Sequence, residues 1–400
     1  MDRCGVWLIG ALGSLSTTVI AGARALARGV TSSCGLLTER EELAALNLVP
    51  LDALVFGGWE IRDGDLVQSA REIHDSNGSL RYEVLQALEP DLREISTWIR
   101  PGLSIGCGPT IERMNQRKSE ERPRGRELVD RLIADLQEFR SSHQLTRVVV
   151  VNLASTEPPV EFEESLSSLE ALEGALDNGQ SGHLRAGAMY AYAAFRAGAA
   201  YLNFTPSNSA LCPANEQLAA ECCVPYMGND GKTGETLVKS ALAPMFKYRN
   251  LIVDSWIGYN ILGNRDGEVL ADEDNKASKV QTKDSVLPSI LGYPLHTHVG
   301  IDYVPAFEDR KVAWDHIHFR GFLDYKMSMQ FIWEGCDSIL AAPVVIDLVR
   351  FLDDALARGV GGPLTYLASF FKGPIHCTEH DLHRQFQMLT DFLNSRMDDE

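Results

Sequence analysis

The stretch between residues 260 and 283 is rich in side chains that could act on an anionic ligand. It contains Asn260, Asn264 and Asp266, followed by the lysines Lys276, Lys279 and Lys283. Amide and ammonium groups donate hydrogen bonds to hydroxyl and phosphate oxygens. These residue types therefore predict a site for an anionic ligand that carries many hydroxyl groups.

The overall composition excludes several classes of partner. The 400 residues carry 55 acidic and 37 basic side chains, a formal net charge of -18. A chain this acidic has no broad attraction for nucleic acid or for anionic lipid, and no apolar run approaches the roughly 18 residues of a membrane span. The eight cysteines lack a C-x-x-C pair, which indicates free thiols. We predict a soluble cytoplasmic protein without nucleic-acid or membrane partners.

A strand, a glycine turn and a helix open the chain. The apolar run GVWLIG ends in Gly10, and a helix-like pattern follows it. In a dinucleotide-binding fold, Gly10 allows the sharp turn, Gly13 lets the backbone approach a pyrophosphate, and the N–H groups near Ser14 and Leu15 point at it. Ser16 stands where a third glycine would be, so a turn that only packs strand against helix stays an alternative.

A second predicted strand, ALVFGGWEI, spans residues 53–61 and ends with an acid. Glu60 at that position could accept hydrogen bonds from the ribose of an adenosine. It follows Gly10 by about 50 residues where ~20 is usual. An exposed glutamate that caps the next helix therefore stays an alternative.

The run TRVVVVNLASTEPPV, residues 146–160, predicts a strand that is buried on both faces of a parallel sheet. Ala154 and Ser155 follow this strand, where ligands dock in such sheets. Thr205 follows another predicted strand at the same edge. We predict these three residues as cofactor contacts.

A glycine-rich loop lies between a strand and a helix in VPYMGNDGKTGETLVKS. Gly228, Gly231 and Gly234, with Lys232 and Thr233, predict a nest of N–H donors in front of a helix. The P-loop pattern G-x-x-x-x-G-K-[ST] is absent. A loop of this kind still favours binding of a phosphate group.

The segment from 250 to 317 alternates strands and predicts a second sheet inserted in the main fold. After it, the chain returns through a strand to a long apolar helix. We therefore predict an α/β protein with one domain over residues 1–243 and 318–400 and an inserted domain over 244–317.

Seven motifs in order along the chain resemble the inositol-3-phosphate synthase (myo-inositol-1-phosphate synthase) family, most closely its archaeal and bacterial forms. They are VWLIGALGSLSTT, VNLASTEP, NFTPSNSA, GNDGKTGETLVKS, YNILGNRDG, NKASKVQTKDSVL and FFKGP. The resemblance implies a homotetrameric NAD-dependent enzyme that cyclises D-glucose 6-phosphate to 1D-myo-inositol 3-phosphate. It also implies a Rossmann NAD-binding domain interrupted by a smaller α+β domain for catalysis and tetramer contacts.

Lysines would carry the chemistry that this resemblance implies. Such enzymes oxidise C5 of the open-chain sugar, enolise the ketone, close C6 onto the C1 aldehyde and reduce C5 again. Cations must stabilise an enolate oxygen while a base removes a proton, and clustered lysines lower one another's proton affinity. Among the lysines that the resemblance implies, we predict Lys279 for proton transfer at the C5 oxygen, Lys283 and Lys311 for phosphate or oxyanion stabilisation, and Lys372 for the C5 alkoxide or C1 aldehyde.

The resemblance also implies the remaining site residues. It adds Asp230 and Asp315 to the catalytic lysines, and it places Asp230 and Asp266 near the cofactor. Lys276 is left out of the site. The substrate-binding residues that it implies are Lys232, Thr233, Gly234, Glu235, Thr236, Asn260, Leu262 and Asn264.

Two residues depart from the eukaryotic pattern, which has lysine where Asp302 stands and glutamine where Glu235 stands. Glu235 is typical of the archaeal type, whereas Asp302 could alter phosphate geometry or substrate choice. The archaeal type also implies a divalent metal ion, whose ligands stay unassigned. Four histidines at i, i+2 spacing are either ligands or exposed strand residues: His296, His298, His316 and His318.

Two other functions stay open at this point. A relative of the family could cyclise another sugar phosphate, such as fructose 6-phosphate to a five-membered ring, with the same lysines and a different pocket shape. A catalytically inactive sensor that binds NAD and a sugar phosphate is the other alternative, although the complete lysine set argues against it.

Overall fold

The computed structural model describes residues 2–121, 124–160, 163–179, 184–263 and 286–398. Its strands are β1 (Cys4–Ile9), β2 (Leu54–Glu60), β3 (Ile99–Pro101), β4 (Arg147–Asn152), β5 (Ala200–Asn203), β6 (Pro225–Met227), β7 (Ile252–Leu262), β8 (His296–Tyr303), β9 (Lys311–Arg320), β10 (Lys326–Gly335) and β11 (Gly362–Pro363). Its α-helices are α1 (Ser14–Ala27), α2 (Leu66–Asn77), α3 (Tyr82–Ser96), α4 (Pro109–Met114), α5 (Arg126–Ser142), α6 (Leu169–Asp177), α7 (Ala186–Arg196), α8 (Pro213–Cys222), α9 (Gly234–Tyr248), α10 (Val286–Leu291), α11 (Asp337–Ala357) and α12 (Leu382–Asp398).

The larger sheet has the strand order β11-β6-β5-β4-β1-β2-β3, and its neighbouring strands run parallel. Without β11, this is the order 3-2-1-4-5-6 of doubly wound dinucleotide-binding domains. The predicted Rossmann fold is therefore confirmed.

Strand β4 shows why this sheet is buried on both faces. Val149 and Val151 pack into one hydrophobic cluster, and Val148 and Val150 pack into a second cluster on the opposite face. Side chains alternate between the two faces of a strand, so an unbroken β-branched run supplies apolar contacts to both helix layers. The strand predicted from this run is confirmed.

The second sheet has the order β10-β9-β7-β8, with β7 parallel to β8 and the other pairs antiparallel. Its inner face carries Trp256, Ile317 and Phe319, which pack with α9 and α10. The opposite face, which we call the outer face, has no helix packed on it among the described residues. One covered face and one open face are usual for a largely antiparallel sheet.

Strand β10 belongs to this second sheet, although the sequence assigns it to the first domain. It pairs with β9 from Lys326 opposite Arg320 to Gly335 opposite Lys311. Polar residues alternate with Met327, Met329 and Phe331 along it, and a strand with one polar face does not suit a sheet that is buried on both sides. The boundary predicted at residue 317 therefore lies inside β9, and the division into two domains stays a prediction.

The carboxyl ends of the parallel strands meet at one edge of the larger sheet. The loops after β1, β4, β5 and β6 all leave from this edge, and the strand order reverses between β1 and β4. Ligands bind in doubly wound sheets at such a switch point. The fold therefore brings together loops that are more than 200 residues apart in the chain.

Gly58 should be intolerant of a side chain because β1 and the turn after it lie against it. A Cβ on Gly58 would collide with the carbonyl oxygen of Leu8 and would lie 2.8 Å from Cβ of Ala11. We expect Gly58→Ala to lower the free energy of unfolding by about 3 kcal/mol in urea melts. Gly22→Ala is the matched control, because no atom lies within 4 Å of its new Cβ. Since Gly22 lies inside α1, this change should raise the free energy of unfolding by about 0.5–1 kcal/mol. Equal stability of the two variants would contradict this packing.

Candidate active site

A cavity of about 470 Å³ opens at the carboxyl edge of the larger sheet, between this sheet and the second one. Both sheets contribute to its wall. Most of the described residues that the sequence predicts for the site lie on this wall. They are Gly10, Gly13, Ser14, Leu15, Glu60, Ala154, Ser155, Thr205, Asp230, Thr233, Glu235, Thr236, Lys311 and Lys372.

The glycine turn after β1 forms one end of the cavity. Gly10 has φ +79°, and a Cβ there would lie 3.2 Å from Cα of Ala154, so the loops after β1 and β4 pass close together. Gly13 is the N-cap of α1, and no side chain caps that helix. The first N–H groups of α1, near Ser14 and Leu15, are donors that suit a pyrophosphate.

Glu60 ends β2 beside this turn and is only 3% exposed. One carboxylate oxygen accepts from Leu12 N over 2.8 Å, and the other accepts from Ile61 N and Arg62 N over 2.9 and 3.0 Å. The next helix, α2, is capped by Asp65 instead. The alternative of an exposed helix-capping glutamate is therefore wrong, and Glu60 fixes the glycine turn while lining the cavity.

One end of the cavity is apolar, and the sequence analysis did not predict it. Four side chains from the segment around α4 line it: Leu103, Cys107, Ile111 and Met114. Trp59 and Tyr190 complete this end, with ring centroids 5.0 Å apart and nearly parallel planes. Flat aromatic and aliphatic surfaces of this kind suit a planar base. No motif marks this segment, because its residues share only apolar character.

Asp230 and Lys372 form a buried ion pair on the cavity wall, with 2.8 Å between Nζ of Lys372 and Oδ1 of Asp230. Their backbones are also joined, since Lys372 N donates to Asp230 O over 2.7 Å. Further bonds link Asn229 with Gly373 in both directions and Ile375 N with Gly228 O. The loop after β6 is thus fixed to a segment about 140 residues later in the chain.

The start of α9 forms the other end of the cavity. Thr233 is its N-cap and caps no N–H group with its side chain. Thr236 lines the cavity and is 1% exposed, and its Oγ1 has no hydrogen-bond partner among the described residues. Lys311 lies close by, with Nζ 3.7 Å from the place of a Cβ on Gly234. Free N–H groups, a hydroxyl and an ammonium group at a helix start suit a phosphate group.

Asp309 and Asp337, which the sequence did not single out, also line the cavity. Lys311 Nζ donates to both carboxylate oxygens of Asp337, over 3.0 and 3.3 Å. Asp309 accepts from Asn77 Nδ2 over 2.8 Å and from Cys336 Sγ over 3.2 Å. Burial and the Asp309 charge raise the pKa of the Cys336 thiol to about 12. These contacts fix the loop before β9 against α2 and the start of α11.

Comparison with known proteins agrees with this geometry. The sequence model described as myo-inositol-1-phosphate synthase matches residues 4–394. The chain belongs to the myo-inositol-1-phosphate synthase family. It is 34% identical to inositol-3-phosphate synthase 1 of Bacteroides thetaiotaomicron, over 98% of this chain and 95% of that protein. It is 28% identical to the inositol-3-phosphate synthase of Trypanosoma brucei brucei, over 87% and 72% of the two chains.

Two solved structures share the fold. The inositol-3-phosphate synthase of Caenorhabditis elegans matches with a TM-score of 0.88 and 22% identity, over 99% of this chain and 86% of that chain. A myo-inositol-1-phosphate synthase-related protein of Thermotoga maritima matches with a TM-score of 0.80 and 24% identity, over 98% and 99%. The predicted family is confirmed, and the chain is an NAD-dependent isomerase of inositol biosynthesis.

Five described residues that the family resemblance implied do not line the cavity. Gly234, Asn260 and Leu262 are not among the described lining residues, and neither are Lys232 and Asp315. Five further residues lie outside the described ranges, namely Asn264, Asp266, Lys276, Lys279 and Lys283. Asp302 is exposed on the outer face of the second sheet, opposite Ile261.

Lys232 lies behind the loop after β6. Its Nζ donates to Oε1 of Gln385 on α12 over 2.6 Å, and both side chains are buried. The pKa of Lys232 is lowered to about 8, mainly by burial; Cys377 opposes this shift and the charge of Lys372 adds to it. A lysine held by α12 supports the loop from its rear side.

Asn260, Glu235 and Asp315 belong to a buried cluster that includes Lys239, a residue not singled out in the sequence. Lys239 Nζ lies 2.6 Å from Oε1 of Glu235 and 3.8 Å from Oδ1 of Asp315. Asn260 Nδ2 donates to the other oxygen of Glu235 over 2.5 Å, and Trp256 Nε1 donates to Asp315 over 2.6 Å. The cluster joins α9 to β7 and β9.

The four histidines with i, i+2 spacing lie on β8 and β9. His296 and His298 are exposed, and His316 and His318 are half-buried. Within the described ranges, no group of three or more His, Cys, Asp or Glu side chains is arranged to hold a metal ion. None of the described helices is both long and apolar enough to cross a membrane.

The lowered pKa of Lys232 predicts a pH-dependent stability. Because its folded pKa of about 8 lies below the ordinary value of 10.5, the unfolded chain binds more protons between these values, and stability gains with rising pH. Between pH 8 and 10.5, the free energy of unfolding of wild-type protein should rise by about 2 kcal/mol relative to that of Lys232→Met. Urea melts at several pH values measure this difference. Lys247→Met removes an exposed lysine of α9 and serves as the control, for which the difference from wild type should not change with pH. If the difference between wild type and Lys232→Met also stayed constant with pH, the effect of burial on Lys232 would be contradicted.

Proposed function

We propose that this chain cyclises D-glucose 6-phosphate to 1D-myo-inositol 3-phosphate with recycled NAD. The observation that carries this proposal is one cavity that joins a dinucleotide-type glycine turn to buried lysines. Gly10 and Gly13 lie at one end, and Lys311 and Lys372 lie on the remaining wall. A cyclase that oxidises and reduces the same carbon needs its cofactor and its cationic groups in a single enclosed space.

The residues around the glycine turn fit NAD. The uncapped start of α1 would receive the pyrophosphate, Glu60 would meet the adenosine ribose, and the apolar end beside Met114 would hold the adenine. Ala154, Ser155, Thr205 and Asp230 would line the path towards the nicotinamide. When bound, NAD supplies a hydride acceptor and returns the hydride in the last step.

The start of α9 would hold the phosphate group of the sugar. Thr233 and Thr236 contribute N–H and hydroxyl donors, and Lys311 contributes positive charge at the same end. Asp337 holds the Lys311 ammonium by two oxygens, which limits its freedom and favours one position for the anion. The phosphate would thus anchor the sugar with its carbon chain directed towards Lys372.

Lys372 would stabilise the oxygen on C5 as it changes between alkoxide and ketone. Asp230 fixes its ammonium through the 2.8 Å ion pair, and both groups are buried. A fixed cation in a site shielded from water stabilises a developing oxyanion without reorganisation. Lys279 and Lys283 remain predicted partners for proton transfer and phosphate.

Product analysis with two sugar phosphates tests this proposal. Purified protein with NAD should convert glucose 6-phosphate, and not fructose 6-phosphate, to an inositol monophosphate that NMR and mass spectrometry identify. Lys372→Ala should lower turnover at least about 100-fold and leave NAD binding, measured by fluorescence, within about threefold. Lys247→Ala, on the exposed side of α9, is the matched lysine control. If wild-type protein forms no inositol phosphate from glucose 6-phosphate, the proposed activity is contradicted. A carbocyclic product from fructose 6-phosphate would instead support the alternative substrate.

The outer face of the second sheet supports the predicted homotetramer. Its exposed or half-buried apolar residues include Ile257, Tyr259, Val312, Trp314 and Ile332, and the rings of Tyr259 and Trp314 stack with centroids 6.3 Å apart. Ile332 is 67% exposed. Exposed apolar side chains that stand among polar ones, such as Gln330 beside Ile332, are typical of an interface between subunits.

Ile332→Lys should weaken this assembly, because each copy would place a charge in the buried interface. We expect a tetramer mass for wild-type protein in size-exclusion chromatography with light scattering, and a smaller species for the variant. Tyr82→Lys changes a residue that is 57% exposed on α3, away from the outer face, and should keep the wild-type mass. A wild-type monomer, or a tetramer that Ile332→Lys leaves intact, would contradict the proposed interface.

A further inference from the structure

Arg62 lines the cavity just after Glu60, the residue beside which the adenosine ribose of the cofactor is proposed to lie. The other two basic side chains that line it within the described ranges, Lys311 and Lys372, belong to the wall assigned to the sugar phosphate. In dinucleotide-binding folds an acid after β2 accepts from the 2′-hydroxyl of NAD, and an arginine nearby accommodates the 2′-phosphate of NADP. This chain carries both residue types at that place.

The protein itself fills the acceptor sites of the Glu60 carboxylate. A carboxylate offers about four lone-pair sites. The backbone N–H groups of Leu12, Ile61 and Arg62 donate to it over 2.8, 2.9 and 3.0 Å. The Arg62 guanidinium approaches both of its oxygens, with Nε at 3.4 Å and Nη2 at 3.5 Å. A ribose 2′-hydroxyl therefore meets no unused acceptor on Glu60, which weakens the preference for NAD that such an acid gives.

The Arg62 guanidinium is held loosely by comparison. Its two contacts with Glu60 are longer than the roughly 2.7–2.9 Å of strong charge-assisted hydrogen bonds. Its polar contacts with described residues all go to Glu60, and the side chain is 22% exposed. The guanidinium can therefore turn to an incoming phosphate while three backbone N–H groups still satisfy the acid.

Helix α2, which begins four residues after Arg62, contributes further polar groups to the cavity wall. Ser69 and Ser76 line the cavity with hydroxyl groups that can donate to a phosphate oxygen. Glu72 lines it as well, and its charge opposes an anion. Positive charge for an anion on this part of the wall therefore has to come from Arg62.

We propose that Arg62 makes the cofactor site accept NADP as well as NAD, by pairing its guanidinium with the 2′-phosphate on the adenosine ribose. A guanidinium presents two parallel N–H donors to a phosphate, which gives a strong and directional contact. The inference rests on the proposed function, in which the adenosine of the dinucleotide lies beside Glu60. NAD has no charged group at this point and needs nothing from Arg62.

Calorimetric titrations of wild-type, Arg62→Gln and Arg117→Gln protein with NAD and with NADP test this inference. Wild-type protein should bind NADP with a dissociation constant within about tenfold of that for NAD. Arg62→Gln should raise the constant for NADP about tenfold or more and that for NAD by less than about threefold. Arg117→Gln is the matched control, because Arg117 is 21% exposed and pairs with Asp63 over 3.1 Å but does not line the cavity. It should leave both constants unchanged.

The dependence on salt gives a second measurement, which needs no variant. Raising the NaCl concentration from about 0.05 to 0.3 M should weaken the binding of NADP at least about threefold more than that of NAD, because the added contact joins two charged groups. An equal salt dependence for the two dinucleotides would overturn the proposal. If Arg62→Gln does not fold, Arg62→Lys replaces it. This variant keeps the charge without the paired donors and should raise the constant for NADP alone, about threefold.

NADP binding more than about 100-fold weaker than NAD binding to wild-type protein would overturn this inference and leave the proposed function intact. An equal effect of the Arg62 variant on both dinucleotides would also overturn it, because a residue that only supports the glycine turn affects both cofactors alike. If wild-type protein binds neither dinucleotide, the proposed function has failed, and this inference fails with it.

Discussion

A buried ammonium group between two carboxylates joins the two sheets of this protein at the wall of its cavity. Lys239 reaches Glu235 on its own helix and Asp315 on β9. Charges at 0–1% exposure are tolerated only when they are paired and hydrogen-bonded. The cluster therefore fixes how α9 lies against the second sheet, and the position of the first turn of α9 at the cavity depends on this contact. Trp256 and Asn260 add the hydrogen bonds that complete it.

The remaining geometry follows from joining distant parts of the chain. The parallel sheet gathers the glycine turn and the loops after β4 to β6 at one edge, and the backbone bonds between residues 228–232 and 370–375 bring Lys372 to Asp230. The second sheet then adds Lys311 from the opposite side. A dinucleotide-type glycine turn and buried lysines thus share one cavity, which is the arrangement that the proposed cyclisation requires.

Much of the fold and part of the site could be predicted. The glycine turn, the buried strand β4 and the loop before α9 have local patterns, and the structure has them as expected. The apolar end around Ile111 had no pattern, because an apolar surface needs only apolar side chains that the fold brings together. Asp309 and Asp337 were missed for a related reason, since single acids acquire meaning only from neighbours such as Asn77 and Lys311.

By itself the sequence determined the family, the Rossmann architecture and the motifs that line the cofactor end, because strand runs, turns and helix starts depend on residues close together in the chain. Only the tertiary structure decided which way individual side chains point. Lys232 and Asp315 stand in site motifs, yet one is held by Gln385, 153 residues later, and the other lies in the cluster with Lys239. A motif specifies where the backbone passes. The direction of a buried charged side chain is instead set by the partner that offsets the cost of burying the charge. That partner comes from elsewhere in the chain.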